Sequence, residues 1–330
     1  MARWLSDPHR QTGLTLIELM IALALGLLLV AALGYLFIGN RQTYRAQDNI
    51  ARVQENGRYA MEVLGQDLRM VGYIGCGALG EAAMNSTAAG AGAMAPPTPA
   101  SVLGGTEGGS GADTLSLMRV DGRGAVLTAA MANAAAEVPI PASPRQYAAG
   151  THFLIADCLN ADLFRNSAEV AAGATSIAHA AAALNTSANL SKAYGADALV
   201  FPFEGLTYRI QNNPAGNPAL YRDVNGAAQE VVENVKDMQI VYGVDSDGDG
   251  AVNAYVTADN VADWARVLAV RVSLLLRSPA ANVATAPQTA PFWDRDNDGS
   301  SDLSATDADL QARRLLYVYT STFGLRNRLR

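Results

Sequence analysis

Histidine and cysteine are scarce in this chain: among 330 residues there are three histidines, His9, His152 and His179, and two cysteines, Cys76 and Cys158. Scattered histidines leave little for acid–base or nucleophilic catalysis. No Gly-x-Ser-x-Gly, phosphate-cradling glycine loop or His-Glu-x-x-His occurs. His152 opens a strand-like segment and reads as structural, and His179 lies in an alanine-rich tract. Two cysteines permit one bridge, whose loop of about 80 residues would contribute roughly 4–5 kcal/mol in the chain-entropy model; the alternative is two separate buried thiols. A basic patch is also missing. Acidic residues outnumber basic ones, 31 to 24, and the formal net charge is −7. Direct nucleic-acid binding, which needs clustered cations to neutralise phosphates, is therefore not expected. The aromatic share is only 7%; Trp264 and Trp293 read as packing residues, and Trp4 precedes the apolar run.

What the chain does have is one long apolar run. No residue from Leu19 to Gly39 is charged, enough to cross ~30 Å of hydrocarbon as a helix rising ~1.5 Å per residue. Arg3, His9 and Arg10 precede it, and Arg41 and Arg45 follow it closely. Flanking positive charge on both sides leaves its orientation undecided. Glu18 stands inside the apolar segment, where an ionisable group costs roughly 2.5–3.5 kcal/mol unless it finds a partner. A cleaved secretory signal would have only ~7–15 apolar residues; an uncleaved anchor with an isolated acid is the other reading of the same residues.

The stretch Gly13-Leu14-Thr15-Leu16-Ile17-Glu18-Leu19, at the head of this run, resembles the class III signal of type IV prepilins and type II secretion pseudopilins. Leu14 departs from the phenylalanine commoner there. The resemblance implies that a prepilin peptidase cuts between Gly13 and Leu14 and methylates the new Leu14 amine. It implies that Glu18 meets the amine of a neighbouring subunit. It also puts the N-terminus in the cytoplasm, and it favours a Cys76–Cys158 bridge, because PilW-like minor pilins often carry Gly-Cys just after the long helix. The closing Arg326-Asn327-Arg328 is likewise similar to the end of many such proteins.

Further along, Ala46, Ile50, Val53, Gly57, Ala60, Leu64, Leu68 and Val71 recur at helical spacing and make one apolar face. Arg45, Gln47, Asp48, Arg52, Glu55 and Arg58 fall largely on the other. Gly72, Gly75 and Gly77 break the pattern. The spacing predicts one helix from about Leu14 to about Val71, whose second half needs a sheet to cover it. Ala78–Gly111 reads as a loop with little core, Ala129–Ala136 as a short helix, and Ala168–Ala198 is ambiguous. Strands are expected at Thr114–Val120, His152–Ala156, Leu199–Phe203, Leu206–Ile210, Leu220–Asp223, Val235–Val244, Val267–Leu276 and Leu315–Leu325. The expected fold is α+β, a pilin-like lollipop with a mainly antiparallel head. Its parts are a leader (1–13), a transmembrane or filament-core half-helix (14–39), an amphipathic half-helix (40–72) and an exported β-rich head (73–330).

Two loops repeat one acidic pattern. The first has Asp245, Asp247 and Asp249, then Gly250 and Asn253; the second has Asp294, Asp296 and Asp298, then Gly299 and Asp302. Oxygen donors at positions 1, 3, 5 and 9, with glycine at 6, open a calcium loop. Hard oxygens without nearby Cys or His suit calcium better than zinc. Position 12, normally a bidentate glutamate, is Val256 or Ala305; Asp259, Asp307 and Asp309 are the possible substitutes. The competing reading is a pair of Asp/Gly turns. No cofactor is required, and calcium is the candidate ion.

Taken with the resemblance, these features imply a non-catalytic minor pilin that primes type IV pilus assembly. Its implied partners are other minor pilins, the major pilin, the prepilin peptidase, an inner-membrane assembly platform and a tip adhesin. It would sit in the bacterial inner membrane with its head in the periplasm, then in the fibre or tip, supporting adhesion and twitching. The alternatives are a J-type minor pseudopilin of type II secretion, and a membrane-tethered exported calcium-dependent binding module or enzyme.

Overall fold

The computed structural model describes residues 15–109, 111–122, 124–181, 183–286 and 288–328. Helix α1 runs Leu16–Met70, within two residues of the span its periodicity predicts. Every residue from Thr15 to Arg45 is exposed, and Ala46 and Ile50 are half-buried. Beyond them Val53, Gly57, Ala60, Leu64 and Leu68 are buried along one face. The helix therefore enters the head near Ala46 and ends at Met70, with Val71 as its C-cap, after which Gly72 takes φ +74° and turns the chain.

Fifteen strands follow among the described residues: β1 (Ala83–Ser86), β2 (Leu103–Thr106), β3 (Thr114–Val120), β4 (Ala125–Val126), β5 (Val138–Pro139), β6 (His152–Ala156), β7 (Asn160–Arg165), β8 (Ser176–Ile177), β9 (Leu199–Asn212), β10 (Pro218–Val224), β11 (Ala227–Glu233), β12 (Val235–Val244), β13 (Ala254–Val256), β14 (Val267–Arg277) and β15 (Leu316–Gly324). The larger sheet has the order β1-β7-β6-β9-β10-β11; β3 and β4 also pair along β9, and β2 pairs with β3. The smaller sheet has the order β13-β12-β14-β15. Its three ladders are antiparallel, whereas β1 joins β7 in parallel. The fold is α+β, a long apolar helix followed by a mainly antiparallel head. The main core lies where the inner half of α1 meets both sheets, around Leu64, Leu68, Leu115, Leu220, Ile240, Val272 and Phe323.

Several local expectations change. Ala129–Ala136 is not helical: Asn133 Oδ1 accepts the Ala135 N–H at 2.9 Å, a local bond that competes with a helical turn. The segment is tied instead to a distant one, with Met131 N–H donating to Tyr194 O and Leu190 N–H to Ala134 O. The stretch 78–111 contains β1 and β2 and buries Val102 and Leu103 in the main core. The two strands expected on either side of Gly205 are one, β9. Gly205 stays in the ladder opposite Met118, and its N–H donates to Asn225 Oδ1 at 2.9 Å. Strand β11 was not anticipated because Ala227–Glu233 is mostly exposed and lacks apolar alternation. Its signal was the preceding Asn225-Gly226, both at positive φ, the dipeptide favoured in two-residue hairpins.

Candidate functional site

At the start of α1, Gly13 and Leu14 lie outside the described residues. Thr15 caps the helix. Its Oγ1 accepts the Glu18 N–H at 3.3 Å, and Glu18 Oε2 accepts both the Thr15 N–H and the Thr15 hydroxyl at 2.9 Å. This reciprocal capping box satisfies donors that a helix N-terminus leaves free, and the carboxylate sits where the helix dipole favours negative charge. Glu18 is thus an end-cap of its own helix as well as an acid in an apolar run. The spacing of Thr15 and Glu18 carried that signal.

At the other end of α1, Asp67 is 3% exposed on the buried face. The Tyr208 hydroxyl donates to it, and Arg222 and Arg119 each reach it at 3.3 Å. Three strands of the larger sheet, β3, β9 and β10, are thereby tied to one helical carboxylate. The sequence signal was an acid three residues after Leu64, inside the apolar stripe. Arg119 also pairs with Glu204 at 3.0 Å, and burial raises the Glu204 carboxyl above its usual range. Beside this node, Asn327 Nδ2 donates to Arg69 O at 3.1 Å and Val71 O at 2.9 Å, so the closing Arg-Asn-Arg segment covers carbonyls at the helix C-terminus. Arg328 donates to Trp264 O, Val267 O and Pro99 O.

Two helix glycines make the inner half fit the smaller sheet. A Cβ on Gly57 would meet the Tyr319 ring at 2.7 Å, and one on Gly65 would meet Phe323 at 2.6 Å. Just past the helix, Cys76 and Cys158 form a disulfide with Cα atoms 5.0 Å apart. It ties the turn after α1 to the connection between β6 and β7.

The acidic loops share part of a hydrogen-bond scheme, in which the first aspartate accepts the N–H of position 6. Asp245 accepts the N–H of Gly248 at 2.6 Å and of Gly250 at 2.9 Å; Asp294 accepts that of Asp298 at 3.2 Å and of Gly299 at 3.0 Å. The position-2 N–H donates to the position-9 side chain in both, Ser246 to Asn253 at 2.6 Å and Arg295 to Asp302 at 2.7 Å. Positions 4 and 6 are at positive φ in both: Gly248 and Gly250, Asn297 and Gly299. Position 6 is glycine in both loops, whereas position 4 is Gly248 in one and Asn297 in the other. Asn297 Nδ2 donates to Tyr255 O on β13 at 3.3 Å, which sets the second loop against the strand that follows the first. Carboxylate oxygens of Asp245, Asp247 and Asp249 lie within 4.8 Å of one another, as do those of Asp294, Asp296 and Asp302. Either group has the donors and spacing to hold a metal ion. Asp298 falls outside the second group; its Oδ1 accepts the Ser300 N–H at 2.7 Å. Two of the suggested position-12 substitutes are engaged elsewhere, since Asp307 binds Lys236 and Asp309 binds Lys236, Arg277 and Arg314.

The remaining candidates are structural. His152 is buried and accepts the Met94 N–H at Nε2, 3.1 Å; burial, then Arg165, pulls its pKa down to about 4. His179 Nε2 meets Ala136 O at 2.7 Å. Trp293 is buried and donates Nε1–H to Asp237 at 3.0 Å, and Trp264 packs edge-on to Tyr242 at 4.7 Å.

Compared with known proteins, residues 207–327 match the family described as Type IV Pilus-assembly protein W. Residues 8–34 match the prokaryotic N-terminal methylation motif. Among solved structures, a type IV-like pilin from Thermus thermophilus aligns over 84% of this chain and 100% of its own, at 13% identity and a TM-score of 0.34. No curated protein matches the chain.

Proposed function

For this type IV pilin-like chain, PilW-like in its head and carrying the N-terminal methylation motif, we propose the role of a minor pilin that primes pilus assembly. In this reading a prepilin peptidase cuts between Gly13 and Leu14 and methylates the Leu14 amine. The protein then waits in the inner membrane, head in the periplasm, until it joins other minor pilins and the major pilin at the assembly platform. It ends in an initiation or tip complex that supports an adhesin. The protein family is structural, so the work is done by surfaces.

The observation that carries the reading is the division of α1. A 55-residue helix leaves everything before Ala46 exposed, and that part is long and apolar enough to cross a membrane. Its apolar surface requires a bilayer or neighbouring helices, and a membrane-anchored pilin has each in turn. Glu18, whose Oε2 is engaged by Thr15, has a second carboxylate oxygen to offer a neighbour's amine. The pilus-assembly description of the matched family favours this role over a type II secretion pseudopilin.

Mass spectrometry of the protein recovered from cells tests the processing: it should begin at a methylated Leu14, and a chain still beginning at Met1 removes the filament role. Glu18→Ala should stay membrane-inserted yet fail to co-purify with partner pilins; normal incorporation rejects the pairing. For the acidic loops we propose calcium, on the strength of hard oxygen donors gathered in each loop. Titration calorimetry should show heat that is lost in Asp247→Ala with Asp296→Ala, and a silent parent protein excludes it.

A further inference from the structure

Where α1 leaves the head, a cavity of about 580 Å³ opens between the helix and the loop at Ala280–Val283. Phe37, Ile38, Arg41, Arg45 and Asn49 line the helical wall, one residue about every turn, hence on one face. The opposite wall is held in place. Arg313 donates to Asn282 Oδ1, Arg314 donates to Ser278 O and Pro279 O, and Asn49 Oδ1 accepts the Ala280 N–H at 3.1 Å, closing the inner end. Among the described residues no carboxylate pairs with Arg41 or Arg45, whereas the neighbouring Arg52 pairs with Asp48 at 3.1 Å. The cavity thus combines apolar rings and branches on its outer side with two guanidinium groups further in.

We infer that this cavity seats the headgroup of an anionic glycerophospholipid, its phosphate between Arg41 and Arg45 and the start of its acyl chains against Phe37 and Ile38. The inference rests on the membrane-anchored reading of α1. With Leu16 near one face of the hydrocarbon, ~30 Å of bilayer consumes ~20 residues of helix, so the Arg41 backbone reaches the far headgroup layer and Arg45 stands one turn beyond it, from where its long side chain can reach back to the same phosphate. Guanidinium forks pair bidentately with phosphate oxygens, and clustered cations at a membrane surface select anionic lipid. The lipid would fill the gap between rod and head while the protein is still in the membrane.

The test compares the full-length protein with Arg41→Gln/Arg45→Gln, each extracted from membranes of matched phosphatidylglycerol and phosphatidylcholine content and weighed by native mass spectrometry. The intact protein should retain phosphatidylglycerol over phosphatidylcholine on the order of tenfold, and the double variant should lose that preference while staying in the carbonate-resistant membrane fraction. Equal retention of the two lipids by the inserted wild-type protein, or an unchanged preference in the variant, overturns the lipid seat alone. A wild-type protein released by carbonate overturns the anchoring and the seat together. Inorganic phosphate is the control ligand: if it displaces the lipid at millimolar concentration, the cavity is a free-anion site and the lipid assignment fails.

Discussion

The two halves of α1 use the same residues in opposite ways. Gly26, Gly34 and Gly39, in the outer half, have nothing within 4 Å of where a Cβ would stand, whereas Gly57 and Gly65, in the inner half, are pressed by Tyr319 and Phe323. The leucines from Leu16 to Leu36 are exposed; Leu64 and Leu68 are fully buried. Composition alone does not separate them. An apolar residue on a helix reports that something must cover it, and only the neighbouring charges tell whether the cover is inside the chain. In the inner half polar residues occupy the opposite face, so the cover is the chain's own sheets. From Leu19 to Gly39 no charged residue marks a polar face, and the chain's own sheets leave that surface uncovered.

The contrast breaks hardest at the disulfide, which lies beyond the inner half alone. Cys76→Ala with Cys158→Ala should lower head stability by about 4–5 kcal/mol, read from the denaturant midpoint, and leave membrane insertion unchanged. Asp67→Ala comes next: it strands Arg119, Arg222 and Tyr208 around an empty position and should lose about 3–5 kcal/mol. A loss under about 1 kcal/mol would show that water replaces the carboxylate. The glycines give the sharpest comparison. Gly57→Ala must displace the Tyr319 ring and should be destabilising by roughly 1–3 kcal/mol. Gly34→Ala in the same helix should leave the head's midpoint unmoved; similar losses in both would mean that the two halves unfold together.

The smallest effect is pH-dependent. Both Glu107 carboxylate oxygens are buried. Burial, then the neighbouring Asp113 and Asp259 carboxylates, pushes its pKa up to about 7 from 4.5. Folding therefore favours the protonated form: the contribution is fully present below the unfolded value and is lost as pH rises through about 7. Glu107→Gln should raise the melting temperature at about pH 8 and change it little at about pH 5, flattening the profile. A parallel shift at both pH values would assign the effect to packing instead.

Much of the architecture could be read before any coordinates. The helix bounds follow from apolar periodicity, because the inner half buries one face; Thr114–Val120 and Val235–Val244 follow from alternation, and His152–Ala156, buried at every position, from its continuous apolar run. What could not be read was set by distant partners. Strand β1 exists because β7, about eighty residues later, offers a parallel edge. Ala129–Ala136 has helical composition and is pinned by Asn133 and by Tyr194 O. Candidate residues stand out where the pattern is local, as in Glu18, the cysteines and the aspartate repeats. The Asp67 node was not, because it draws one residue from each of four elements separated by up to 155 positions.

Asn327 and the helix carbonyls it covers are 258 positions apart for Arg69. A ribosome adding ~5–20 residues per second needs on the order of tens of seconds to bridge that interval. During that time the last turn of the helix lacks its seal. The helix end can therefore be sealed only once synthesis has reached Asn327, which makes that residue a late clasp between head and stalk.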